Sequence, residues 1–332
     1  MRRSPTDFGG KSRITAEVWR RFGDVPNFVD PFCGSCAVLL GRPASHKGHI
    51  ETVNDADGLL SNFWRSIKAD PEQTAYWADW PVNENDLHAR HAWLVGQRDS
   101  LVARLEGDPD FYDAKIAGWW VWGMCCWIGS GFCSGQGPWH VDPETRMLAR
   151  DATAGEGIKR SRPHLGNAGQ CVNRKLPHLS PGRGVNRPGI AILQWFEALA
   201  ERLRYVRVCS GDWSRVCGPT PTYKHGITAV FLDPPYDQTI RDANIYRVED
   251  PVSAAAREWA IANGSNPLLR IALCGYEGEH EMPADWQVYE WKARGGYNNQ
   301  GADDSPGAGN GALERIWFSP HTLKGSPQGS LL

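Results

Sequence analysis

No run of 18 apolar residues occurs in the 332-residue chain, so nothing in it reads as a membrane span. Met1-Arg2-Arg3 is not followed by a hydrophobic stretch, so no secretory signal is expected. Charge of either sign is barely in excess. The 36 Lys and Arg against 38 Asp and Glu leave a formal −2 and no global signature of polyanion binding. Any such contact must come from a local patch. The dinucleotide fingerprint Gly-x-Gly-x-x-Gly is missing, so no pyrophosphate cradle is indicated. Metal-site patterns are incomplete, and no metal is expected. Cys33-x-x-Cys36 has no second pair of that spacing, and His280-Glu281 lacks the second His of a zinc protease. His49-Ile50-Glu51 has no Pro-Cys-x-x-Cys downstream, which removes a zinc deaminase. There is no internal repeat.

What is present is a chain long enough for one large domain with an insertion, or for two domains. Nine cysteines, an odd number in a long chain, read as reduced cytosolic thiols rather than a disulfide framework. Sixteen tryptophans is a high count, and each needs packing or a stacking partner.

The first 70 residues read as a βαβ unit. Asn27-Phe28-Val29-Asp30 is a strand, Pro31 to Cys36 a tight loop of small residues, and Ala37-Val38-Leu39-Leu40 the opening of a helix. Ile50 to Val53 is a second strand, followed by a helix from Leu59 to Lys68 with apolar residues at helical spacing. The segment from 71 to 110 is charged and helical in character. Gly118 to Trp127 is a dense Trp-rich apolar patch, read as a core helix because apolar runs are usually buried. Residues 157–190 carry Lys159, Arg160, Arg162, Arg174, Lys175, Arg183 and Arg187 with no Asp or Glu. Either this is a solvated insertion or it contacts phosphates. A helix over Ile192–Arg204 and strands at Tyr205–Cys209, Ile227–Leu232, Leu268–Cys274, Trp286–Trp291 and Glu314–Phe318 complete an α/β pattern. Gly295 to Gly311 is a Gly/Asn/Asp-rich loop.

Two constellations carry chemistry. Asp233-Pro234-Pro235-Tyr236 follows the buried strand Ile227–Leu232. Ligands of open α/β sheets bind at the carboxyl ends of the strands. Two prolines fix two φ angles and remove two N–H donors, which leaves a carboxylate, outward carbonyls and a ring. Such a slot suits a flat heterocycle with an exocyclic amine, although Asp and Pro also make ordinary turns. The second constellation is Asp30-Pro31-Phe32-Cys33-Gly34-Ser35-Cys36, with Asp55 falling 21 residues after Gly34 at the end of the next strand. Small residues admit a ligand close to the backbone, and an acid at that spacing can accept from ribose hydroxyls. Without the diphosphate cradle this points to a nucleoside cofactor such as S-adenosylmethionine.

With these blocks in order, the chain resembles the Dam-like, class α amino-methyltransferases of DNA found in phages and bacteria. The residues that carry the likeness are Phe8-Gly9-Gly10-Lys11, Asp30-Pro31-Phe32-Cys33-Gly34, Asn54-Asp55-Ala56-Asp57, Gly211-Asp212-Trp213, Asp233-Pro234-Pro235-Tyr236 and Glu314-Arg315-Ile316-Trp317. The likeness covers roughly 1–70 and 200–320. Cys36 stands where that family usually has a second glycine in the cofactor loop.

The resemblance implies a Rossmann-like S-adenosylmethionine-dependent methyltransferase sheet. Its core would be 1–70 and 200–332, with an inserted target-recognition region at 71–199 that binds double-stranded DNA through the seven basic residues above. It implies methyl transfer to adenine N6 of a flipped-out base, catalysed by Asp233, Pro234, Pro235 and Tyr236. Phe8, Gly10, Lys11, Asp30, Pro31, Phe32, Gly34, Asp55, Ala56, Asp212 and Trp213 would hold the cofactor. It also implies a cytoplasmic protein, with restriction-modification as one setting. Neither the recognition sequence nor the oligomeric state is read from the chain. A cytosine C5-methyltransferase needs a Pro-Cys nucleophile, and that dipeptide is absent. N4-cytosine methylation, RNA adenine methylation and a catalytically silent DNA-binding protein stay open as alternatives.

Overall fold

The computed structural model describes residues 11, 14–43, 48–127, 132–133, 139–141, 145, 148–150, 190–235, 251–291 and 314–324. In chain order the elements begin α1 (Thr15–Phe22), β1 (Asn27–Asp30), α2 (Ala37–Leu40), β2 (Ile50–Asp55), α3 (Gly58–Ala69), α4 (Pro71–Ala78), α5 (Glu84–Gly107) and α6 (Ala114–Cys126). They continue β3 (Trp139–Val141), β4 (Leu148–Arg150), α7 (Ile190–Leu203), β5 (Val206–Ser210), β6 (Thr228–Leu232), α8 (Pro251–Asn263), β7 (Leu269–Tyr276), β8 (Gln287–Glu290) and β9 (Glu314–Phe318). The chain forms two compact units, one holding 9–56 and 205–332, the other 57–204. The sequence places the insertion at 71–199. The second unit also takes in α3 and the last turn of α7.

The first unit is built on a seven-stranded sheet in the order β5-β2-β1-β6-β7-β9-β8. β5, β2, β1, β6 and β7 run parallel, and β9 and β8 add antiparallel pairings at one end. This is a Rossmann-like α/β arrangement. The chain moves outward from β1 through β2 to β5, returns to β6 beside β1, and then moves outward the other way. The strand order therefore reverses between β1 and β6, and that is where ligands bind in such sheets. β1 and β6 are buried along their whole length, as expected of parallel strands covered on both faces.

Alternation along the strands explains the two layers. Val29, Val230, Leu232, Ile271, Leu273 and Trp317 face one side and pack with Ala260 of α8, Val216 and Trp286. Phe28, the neighbour of Val29, points the other way and meets Trp19 of α1 at 5.0 Å between ring centroids. The α1 helix is eight residues long and buries Val18, Trp19 and Phe22, which stand at helical spacing.

Among the described residues the second unit is helical apart from the antiparallel β3–β4 pair. Each of its first four helices starts on an Asp or Asn whose side chain accepts a backbone N–H. Asp57 caps α3, Asp70 α4, Asn83 α5 and Asp113 α6. The Trp-rich patch is the core helix α6, with Trp120 and Trp122 buried. Phe63 of α3 packs edge-on against Phe196 of α7 and lies 5.9 Å from Trp120. Among the described residues no helix is long and apolar enough to cross a membrane.

Candidate active site at the carboxyl edge of the sheet

The site is assembled from the ends of β1, β2, β5 and β6, with β9 contributing its first residue. β1 ends at Asp30, 2 % exposed, whose Oδ1 is buried with no hydrogen-bond partner. Burial pushes this carboxyl well above the usual carboxylate range, and the charges of Asp233 and Asp55 add to the push. The β1–β6 pairing brings Asp30 and Asp233 to the same edge of adjacent strands. Asp233 is half-buried, Pro234 buried and Pro235 exposed.

The loop after β1 is held by backbone and by two side chains of β2. Cys33 N–H donates to the Asn54 carbonyl at 2.9 Å, and Gly34 N–H donates to Asp55 Oδ2 at 3.0 Å. Asn54 Nδ2 donates to the carbonyls of Pro31 (3.1 Å) and Gly211 (3.0 Å), tying the loops after β1 and β5 together. Gly34 has φ +43°, and a Cβ built there meets nothing within 4 Å, so the backbone faces an open cradle. Cys36 also sits in the left-handed region, at φ 54°. A glycine is the residue without strain there, and Cys36 tolerates the position with its side chain fully buried.

After β5, Asp212 caps its own turn by accepting from Ser214 N–H at 2.9 Å. The Ser214 hydroxyl and N–H hold the exposed Asp212 carboxyl below its usual range. Trp213 stacks on Phe32 at 5.6 Å, interplanar angle 30°. Two residues assigned separately to the cofactor are thus one aromatic shelf. Ala56 is exposed at the end of β2.

Lys11 is placed differently from a simple ligand anchor. Its Nζ lies 3.2 Å from Asp233 Oδ1 and 3.0 Å from Glu314 Oε2, with the Trp291 ring 5.4 Å away. Burial acts to lower the Lys11 pKa. The charges of Asp233, Cys274 and Glu314 outweigh it and hold the ammonium well above its usual range. Burial raises the Glu314 carboxyl, partly offset by Lys11. Glu314 was legible only as part of a closing strand. It reaches the site because β9 runs antiparallel to β7, which sets Glu314 opposite Tyr276 at the carboxyl edge. Asn54 was likewise visible only as a neighbour of Asp55.

Phe8, Gly10 and Tyr236, and all of Lys159, Arg160, Arg162, Arg174, Lys175, Arg183 and Arg187, lie outside the described residues. The Gly295–Gly311 loop does too. No disulfide joins the described cysteines.

Fold and site together define a Rossmann-like α/β protein with an open glycine cradle, an aromatic shelf and a carboxylate slot at its topological switch point. Residues 8–89 match the family model described as D12 class N6 adenine-specific DNA methyltransferase. That segment contains Lys11, Asp30, Gly34 and Asp55, and it is consistent with a Dam-like adenine methyltransferase. No match is found among curated proteins.

Proposed function

We propose that the protein is a DNA adenine methyltransferase that moves a methyl group from S-adenosylmethionine to N6 of a flipped-out adenine. The observation that carries this reading is the position of Asp233. It lies beside Asp30 at the switch point and is held by Lys11. The chain's own residues fit the methyl donor. Gly34 leaves space along its backbone, Asp55 offers a carboxylate for ribose hydroxyls, and Trp213 on Phe32 offers a face for adenine. Asp30 brings a buried oxygen in need of a donor. The donor supplies an electrophilic methyl on a sulfonium.

Adenine N6 is a weak nucleophile because its lone pair is delocalised into the ring. Asp233 and the Pro234 carbonyl would accept its two N–H bonds. That favours a pyramidal nitrogen and stabilises the positive charge that develops on attack. Transfer is then direct, with alignment supplying much of the rate. Tyr236 would stack on the base, whose extrusion costs a few kcal/mol. The basic segment would grip phosphates.

The test is incubation with methyl-labelled S-adenosylmethionine and unmodified DNA, with the nucleosides identified by mass spectrometry. N6-methyladenine is expected. N4-methylcytosine, or no label, would sink the assignment. Asp233→Ala should abolish transfer while the chain keeps its helical circular dichroism, and unchanged turnover would remove Asp233 from the mechanism.

A further inference from the structure

The helical unit carries a second cluster that the methyl-transfer chemistry does not use. Lys115 lies in the first turn of α6, where the helix dipole disfavours a cation. Among the described residues no carboxylate lies within 4 Å of its Nζ. It is instead enclosed by indole rings from three helices. The Nζ is 4.4 Å from the centroid of Trp119 on its own helix, 5.0 Å from Trp93 on α5 and 5.5 Å from Trp77 on α4.

The rings brace one another edge to face. Trp93 meets Trp119 at 5.2 Å, Trp77 meets Trp119 at 5.9 Å, and Tyr76 meets Trp77 at 5.2 Å. Gly118 permits this closeness, because a Cβ there would stand 2.4 Å from Trp77 Cβ. Yet the cluster is not closed over. Tyr76 is 60 % exposed and Trp93 36 %, and with Tyr205 they are the large rings most open to solvent among the described residues. A set of mutually packed aromatic faces around one ammonium is complementary to flat bases joined by phosphates.

We infer that the face formed by Tyr76, Trp93, Trp119 and Lys115 binds single-stranded nucleic acid. Bases stack on the exposed rings, and a backbone phosphate pairs with Lys115. Duplex bases are already stacked on their neighbours, so exposed rings of this kind favour unpaired strands. The inference goes beyond methyl transfer and needs no cofactor.

The experiment is fluorescence anisotropy of the full chain with a fluorescein-labelled twelve-nucleotide oligothymidylate, without S-adenosylmethionine, across a salt series. Trp93→Ala and Tyr76→Ala should each weaken binding by roughly tenfold, the usual size of a stacking loss. Trp93→Phe should restore most of it. Lys115→Gln should reduce the salt slope by about 0.7, the release expected for one phosphate on a single strand. Tyr76 is exposed enough that its truncation leaves folding intact, which circular dichroism checks. Absence of binding by the unaltered chain overturns the inference, and so does wild-type affinity in both truncations, Trp93→Ala and Tyr76→Ala. Because binding is read without the methyl donor, its failure is separable from failure of the methylation assay.

Discussion

Replacing Lys11 by Met removes an ammonium that stands between two carboxylates while keeping most of its length. At 3.0 and 3.2 Å, and with an effective dielectric constant near 20, each pair is worth on the order of 5 kcal/mol of gross attraction. Most of that is cancelled by the desolvation of three charges. What remains measurable is the penalty for stranding Asp233 and Glu314 without a counter-ion. Breaking a buried pair in this way costs about 3 kcal/mol. The side chains are 13 %, 21 % and 15 % exposed, so the lower end of the usual range applies.

The pH dependence identifies the cause. In the intact protein Lys11 is held above its ordinary pKa, so its contribution is fully present below about pH 10 and is lost only as pH rises beyond that. In Lys11→Met the opposing effect on Glu314 is gone, and its carboxyl rises further above the ordinary value. A carboxyl raised in the folded state holds its proton longer there than in the unfolded chain. Stability of the variant therefore falls as pH rises from about 4.5. The deficit against the unaltered protein should be largest near pH 7 and shrink toward pH 4. Urea denaturation at both pH values measures it. A loss below 1 kcal/mol at pH 7, or a loss that does not change with pH, would show that Lys11 does not bind these carboxylates together.

Three further outcomes are expected. Gly34→Ala should strain its φ +43° backbone by about 1–2 kcal/mol and place a methyl group in the open cradle. Affinity for S-adenosylmethionine, read by titration calorimetry, should drop, and unchanged affinity would remove Gly34 from the cofactor site. Burial, with a smaller push from His88, lowers the pKa of His91 on α5 from 6.5 to about 4. Its neutral form stacks on Trp127 at 4.9 Å, so stability is present above pH 6.5 and is lost as pH falls toward 4, by about 3 kcal/mol. His91→Phe should flatten that acid limb in urea midpoints, and an identical limb would place the sensitivity elsewhere. Neutralising Arg160, Arg162, Arg174 and Lys175 should weaken duplex DNA binding and flatten its salt dependence, whereas an unchanged slope makes the segment a solvated insertion.

Much of the edge chemistry was legible because it is local. A short branched and aromatic run ending in Asp-Pro-Pro marks a buried strand and its outlet, and β6 ends at Leu232 as that pattern requires. The spacing from Gly34 to Asp55 reads as a loop and the next strand end, and the two are joined by a 3.0 Å hydrogen bond. Strands β1 and β9 fall at Asn27–Asp30 and Glu314–Phe318, the ranges their patterns mark. By contrast α8 carries little signal, because its buried face is mainly Ser253, Ala256 and Ala260, small residues that make no apolar stripe. The α1 helix is not among the elements expected from the sequence, although the helical spacing of Val18, Trp19 and Phe22 is present there.

Which residues end the parallel strands, and what chemistry they carry, follows from short stretches of chain, since turn residues and apolar period are properties of a few consecutive positions. Who faces whom follows from the three-dimensional arrangement. Strand order makes Asp30 and Asp233 neighbours, and that nearness helps hold Asp30 far above the carboxylate range. Antiparallel pairing of β9 carries Glu314 to Lys11 across 303 positions of sequence. Such pairings join segments far apart in sequence, and neither segment by itself names its partner.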